Sequence, residues 1–131
     1  MQIQEEINRL GHLKPTAEAI IAFVSHQSIH SKFEHTSLGE WALKPDNWIA
    51  LKFTHQTNKV IHISLGVYRS TIDADGVELR LKIKNGRFPN WSKVSIYDSA
   101  DQDSILKLLK IVYLAADNKH RNEYGRPALR P

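Results

Sequence analysis

Four runs between Trp48 and Ala116 decide the fold: Trp48-Ile-Ala-Leu-Lys-Phe-Thr54, Val60-Ile-His-Ile-Ser-Leu-Gly66, Val77-Glu-Leu-Arg-Leu-Lys-Ile83 and Ser92-Lys-Val-Ser-Ile-Tyr97. Each alternates apolar and polar residues, the period of a strand with one face buried and one wetted. Ile49, Leu51 and Phe53 share a face in the first run, and Ile61, Ile63 and Leu65 in the second. Val77, Leu79, Leu81 and Ile83 do so in the third, and Val94 and Ile96 in the fourth. Lys52, Thr54, His62, Ser64, Glu78, Arg80, Lys82 and Lys84 then fall on the opposite face, with Trp48 nearby. His55 to Lys59 reads as a hairpin loop, Asp73-Ala-Asp-Gly76 as a turn, and Asn85-Gly86 as the end of the third strand. Pro89 gives the fourth strand an irregular approach.

A helix follows. Ser99 and Gln102 have the spacing of a capping box, with Asp101 and Asp103 where the helix dipole favours negative charge. Ile105, Leu108, Leu109, Val112 and Ala116 then recur at helical spacing, while Lys107 and Lys110 take the wet side. Working outward to the N-terminus, Ile3, Ile7 and Leu10 line a short first helix that Gly11 stops. A second helix begins near Pro15, with Glu18 early and Ala17, Ile20, Ile21 and Val24 as its stripe. From Ile29 to Asn47 the pattern weakens, and the reading is loop with one short helix around Ser37 to Leu43.

The expected architecture is α+β: an antiparallel sheet of about four strands, with the N-terminal helices and a C-terminal helix on one face. With 131 residues and 41% hydrophobic content, the chain can bury one core. The expected organisation is a single domain over 1–118, helical over 1–47 and strands plus helix over 48–118. A basic flexible tail then covers 119–131, where Lys119, Arg121, Arg126 and Arg130 face one Glu and two late prolines.

The absence of cysteine excludes disulfides, thiolate metal sites and thiol nucleophiles. No apolar run approaches the roughly 20 residues of a membrane span, and Met1 to Arg9 lacks the form of a secretory signal. The expectation is a soluble, cytoplasmic protein with no membrane partner. A net charge of +4 permits a polyanionic partner, because lysine and arginine release counterions from phosphates.

Motifs for chemistry are sparse. Of seven histidines, only His26 and His30 stand four apart, and no HExxH pattern supplies further ligands, so no metal and no cofactor is expected. A magnesium nuclease would need a carboxylate-x-Lys on a strand. Asp75 with Glu78-Leu-Arg80 comes nearest, but it carries arginine and is spaced too tightly. Ser25 with His26, and Asp117 with His120, lack the third member of a triad. No catalytic residue is assigned.

Basic residues interleaved with aromatics give the better lead. Lys84-Asn-Gly-Arg-Phe-Pro-Asn-Trp-Ser-Lys93 combines cations with Phe88 and Trp91, and the outer sheet face adds Lys52, Arg80 and Lys82. Such a surface tracks phosphates while rings stack on bases. A solvated antiparallel face also carries lysine and arginine merely to stay wetted and to blunt edge pairing, and Phe88 and Trp91 could equally cover the end of the core. The candidate nucleic-acid contacts are Lys52, Arg80, Lys82, Lys84, Arg87, Phe88, Trp91, Lys93, Arg121 and Arg126.

Trp48-Ile-Ala-Leu-Lys-Phe, Val77-Glu-Leu-Arg-Leu-Lys-Ile, Trp91-Ser-Lys-Val-Ser-Ile and the helix from Asp101 to Tyr113 together resemble a domain-of-unknown-function family. That family is labelled a predicted transport protein and is found beside or fused to restriction-type nuclease components. The resemblance spans about 70 residues. The family's Gly-His-Trp-Gly-like loop is Phe88-Pro-Asn-Trp91 here. The resemblance implies a small non-catalytic accessory domain handling nucleic acid in a defence or mobile-element setting, with no catalytic residue to carry over. The leading expectation is therefore a non-enzymatic module for DNA or RNA. A protein-interaction or homodimeric assembly subunit is the second, and a divalent-metal nuclease using Asp73, Asp75 and Glu78 the third.

Overall fold

The computed structural model describes residues 2–74, 81–86 and 91–124, and the side chains of all of these except 73–74 and 117–124. Its described strands form one antiparallel sheet of six: β1 (Lys32–His35), β2 (Trp41–Lys44), β3 (Ile49–Thr54), β4 (Val60–Leu65), β5 (Lys84–Asn85) and β6 (Ser92–Ile96). They lie in the order β1-β2-β3-β4-β6-β5. Among the described residues four α-helices accompany them: α1 (Ile3–Ile7), α2 (Lys14–Gln27), α3 (Arg69–Ala74) and α4 (Gln102–Tyr124). The α+β class stands, with six strands in place of about four.

One sheet face and the helices share a single apolar core. Ile49, Leu51, Phe53, Ile61, Ile63, Leu65, Val94 and Ile96 are buried on the sheet side, as their alternation requires. Ile7, Leu10 and Leu13, then Ala17, Ile20 and Val24 from α2, and Ile105, Leu108, Leu109 and Val112 from α4 meet them. Gly11 turns the chain at φ +57° into a 3₁₀ turn over Gly11–Leu13, and α2 follows with Pro15 in its first turn, where a missing N–H costs nothing. The Thr16 hydroxyl donates to Gln102 Oε1 at 3.2 Å, joining α2 to the start of α4.

Several expectations are corrected. The stretch around Ser37 to Leu43 is a hairpin, not a helix. Thr36 Oγ1 accepts from the N–H of Leu38 and of Glu40, both at 3.3 Å, and Gly39 takes φ +77°. Trp41 and Leu43 then point into the core while Ala42 and Lys44 point away, a period of two that is too short to separate from the i,i+3 spacing of Leu38 and Trp41.

Trp48 is in the core rather than on the outer face. It is 1% exposed, stacks edge-on against Tyr113 at 5.3 Å and donates Nε1–H to Ser28 Oγ at 3.0 Å. In the third run, Leu81 to Ile83 are not strand, and pairing begins only at Lys84; residues 75–80 lie outside the described residues. Arg69–Ala74 is a helix where no element was expected. Ser99 opens a 3₁₀ turn over Ser99–Asp101 that leads into α4, and the side-chain cap there is Asp98, whose Oδ1 accepts from Ala100 N–H at 2.9 Å. That helix runs to Tyr124, so 119–124 of the expected flexible tail is helical. Among the described residues no helix is long and apolar enough to cross a membrane.

Candidate functional site

The strand register builds the outer sheet face row by row. One row crosses all six strands: Glu34, Ala42, Ala50, Ser64, Lys93 and Lys84. Its three middle members are small and sit on three adjacent strands, so the face sinks there. The result is a trough of about 320 Å³. Ala42, Ala50 and Ser64 floor it, the β1–β2 hairpin supplies Thr36, Ser37, Leu38 and Glu40 to its walls, and Gly86 and Trp91 close another side. Its volume falls in the range of small-molecule sites, roughly 300–1,000 Å³.

Trp91 is held by the β5–β6 hairpin. Gly86 N–H donates to Trp91 C=O at 2.7 Å, and a Cβ on Gly86 would stand 2.7 Å from the Trp91 backbone, so only glycine permits this approach. Leu38 is 51% exposed on the opposite wall. A flat ring entering the trough would meet methyl groups below and an indole beside it.

The next row adds a lysine and a histidine. Lys52 on β3 stands directly across from His62 on β4, and His62 across from Ser95 on β6. Both imidazole nitrogens are bonded: Nε2 with Thr54 Oγ1 at 2.9 Å and Nδ1 with Ser95 Oγ at 3.1 Å. Partial burial, then the positive charges of Lys52 and Lys93, lower the pKa of His62 below its ordinary 6.5. Strands β3, β4 and β6 contain no carboxylate, and the acids of this face, Glu34 on β1 and Glu40 in the hairpin wall, lie toward its β1–β2 side.

Of the ten contacts expected from sequence, the structure brings Lys52, Lys84, Lys93 and Trp91 to this face. Lys84 and Lys93 are direct cross-strand partners, and Lys52 is exposed. Lys82 is exposed in the segment before β5. Arg121 belongs to α4, but its side chain lies outside the described set, and Arg80, Arg87, Phe88 and Arg126 lie outside the described residues altogether. Sequence reasoning missed the floor and the hairpin wall. The signal was small residues at outward strand positions, Ala50 and Ser64, where polar chains normally stand.

A second polar cluster pins α1 to the sheet. Glu6 accepts from Trp41 Nε1–H through Oε2, and His55 Nε2 lies 3.3 Å from Glu6 Oε1, with both side chains about seven-eighths buried. This cluster is on the core side and away from the trough. Among the described residues no three histidine or carboxylate side chains are grouped to hold a metal ion. Comparison with protein-family models, with curated proteins and with solved structures yields no match, so the functional reading rests on the chain's own geometry.

Proposed function

We propose that the outer sheet face is a non-catalytic binding surface for single-stranded nucleic acid. The trough accepts a base against Trp91, and Lys52, Lys84 and Lys93 contact the phosphates. The observation that carries this reading is the join of two features: a trough with a small-residue floor and an indole wall, bordered by lysines on strands that lack carboxylates. Base stacking on an aromatic ring is worth ~1–3 kcal/mol per base and tolerates any sequence. Lysines on the same face supply the salt-dependent share of affinity. Glu40 in the hairpin wall can accept from the exocyclic amine of a base. A single strand suits the site better than a duplex, because a stacked base pair cannot present its face to Trp91.

The test is fluorescence anisotropy with labelled single-stranded and duplex oligonucleotides. The expected result is a single-strand preference, with Trp91→Ala weakening binding about tenfold, the lower part of the stacking range. Lys52→Glu combined with Lys93→Glu should weaken it further. Equal affinity of wild type and both variants, or no binding at low salt, overturns the reading.

A further inference from the structure

His62 is the unusual member of the Lys52-His62-Ser95 row. It is an imidazole between two lysines, yet both its nitrogens are satisfied by hydroxyls, Thr54 on one side and Ser95 on the other. A neutral imidazole donates from one nitrogen and accepts at the other, whereas an imidazolium donates from both. A hydroxyl can donate or accept by rotating its hydrogen. Thr54 and Ser95 can therefore serve either charge state without any heavy atom moving. What holds His62 neutral is partial burial and the two lysine charges, and no carboxylate on β3, β4 or β6 offsets them.

The other groups facing this ring can be named strand by strand. On β3 they are Lys52 and Thr54, on β4 its neighbour Ser64, and on β6 Lys93 and Ser95. The described carboxylates on this side, Glu34 on β1 and Glu40 in the hairpin wall, lie outside β3, β4 and β6. A catalytic role for Ser95 with His62 is not supported, because no acid orients the ring and the hydroxyl meets Nδ1 while Nε2 is occupied by Thr54.

An anion placed among these groups offsets the two lysine charges, the part of the opposition to charging the ring that burial does not supply. We propose that Lys52, His62 and Lys93 form a phosphate subsite at which His62 takes up a proton as the phosphate binds, so that this face holds its ligand more tightly as the solution turns acidic. The inference rests on the nucleic-acid reading above and adds to it a named subsite and a proton. The linkage is reciprocal: if a phosphate raises the proton affinity of His62, the proton raises the phosphate affinity by the same factor.

The experiment uses the whole chain and a short oligothymidylate, whose bases do not titrate near neutrality. Anisotropy is read at about pH 7.5 and about pH 5.5, the span over which a histidine changes charge. Wild type is compared with His62→Gln, whose amide can still donate and accept between Thr54 and Ser95. In parallel, the His62 ring protons of the wild type are titrated by NMR with and without the oligonucleotide, a readout that needs no variant to fold. The expected result is severalfold tighter binding by wild type at the lower pH, a flatter response in His62→Gln, and an upward shift of the ring titration when the oligonucleotide is present. Binding at both pH values, with the same pH response in the variant or an unmoved ring titration, overturns the proton-linked subsite and leaves the nucleic-acid reading standing. No binding at either pH overturns both.

Discussion

At the scale of single residues, His62 ties the stability of the fold to pH, with a sign fixed by its surroundings. Its pKa in the folded chain lies below the ordinary value, because burial and then Lys52 and Lys93 oppose the charge. On acidification the unfolded chain takes up this proton first. The unfolded state then binds more protons, and stability falls as pH drops from about 6.5, the ordinary histidine value, toward the lower folded one. Above that window the residue contributes no pH dependence. His62→Gln should therefore lose less stability than wild type between about pH 7.5 and pH 5.5 in urea unfolding, a range that contains the histidine titration. An identical loss in the two chains would show that the ring titrates in the folded state as it does in the unfolded one. Bound phosphate acts in the opposite sense, so the acid-sensitive residue of the free fold becomes an acid-strengthened contact in the complex.

At the scale of elements, the five-residue α1 is too short to persist by local propensity and depends on what it docks against. Ile7 enters the core, and Glu6 accepts from the Trp41 indole while lying 3.3 Å from His55. Glu6→Ala strands a buried indole N–H and should cost ~1–3 kcal/mol, read as a lower urea midpoint with an unchanged slope. Glu6→Gln retains an acceptor for Trp41 and should cost less; equal losses would mean that the contact carries no specific energy.

The length of an element also limits what the chain reveals before it folds. The strands Ile49–Thr54, Val60–Leu65 and Ser92–Ile96 were legible because each buries one face and leaves the other wet, and α2 and α4 because their stripes run for several turns. The β1–β2 hairpin was not, since its four-residue strands are too short for two periods to be told apart, and its turn is set by the Thr36 hydroxyl and Gly39. The trough was hidden for a different reason. Ala42, Ala50 and Ser64 become one floor only through register across three strands, a long-range fact that no local pattern carries. Lys52, Lys84, Lys93 and Trp91 were found because charge and aromatic rings announce themselves singly, whereas a concavity is a property of neighbours.

At the scale of the whole molecule, a net charge of +4 is too small to explain polyanion binding by itself, so the distribution of charge must do so. The helices cover one sheet face with the core, and the other face presents Lys52, Lys84 and Lys93 around strands β3, β4 and β6, which hold no carboxylate. The C-terminal sequence supplies a second source of charge in Lys119, Arg121, Arg126 and Arg130. Salt separates the two sources, because for single strands the slope of log affinity against log salt is about −0.7 for each phosphate neutralised. If the sheet face alone binds, its three lysines should give a slope of about −2, and each lysine-to-alanine change should make it shallower by about 0.7. Arg126→Ala with Arg130→Ala should then leave the slope unchanged. If the C-terminal cations join the footprint, the starting slope is steeper, and that double substitution, rather than a lysine on the sheet, flattens it. A slope near zero with affinity intact would mean that the trough binds an uncharged ring and the lysines only keep the face wet.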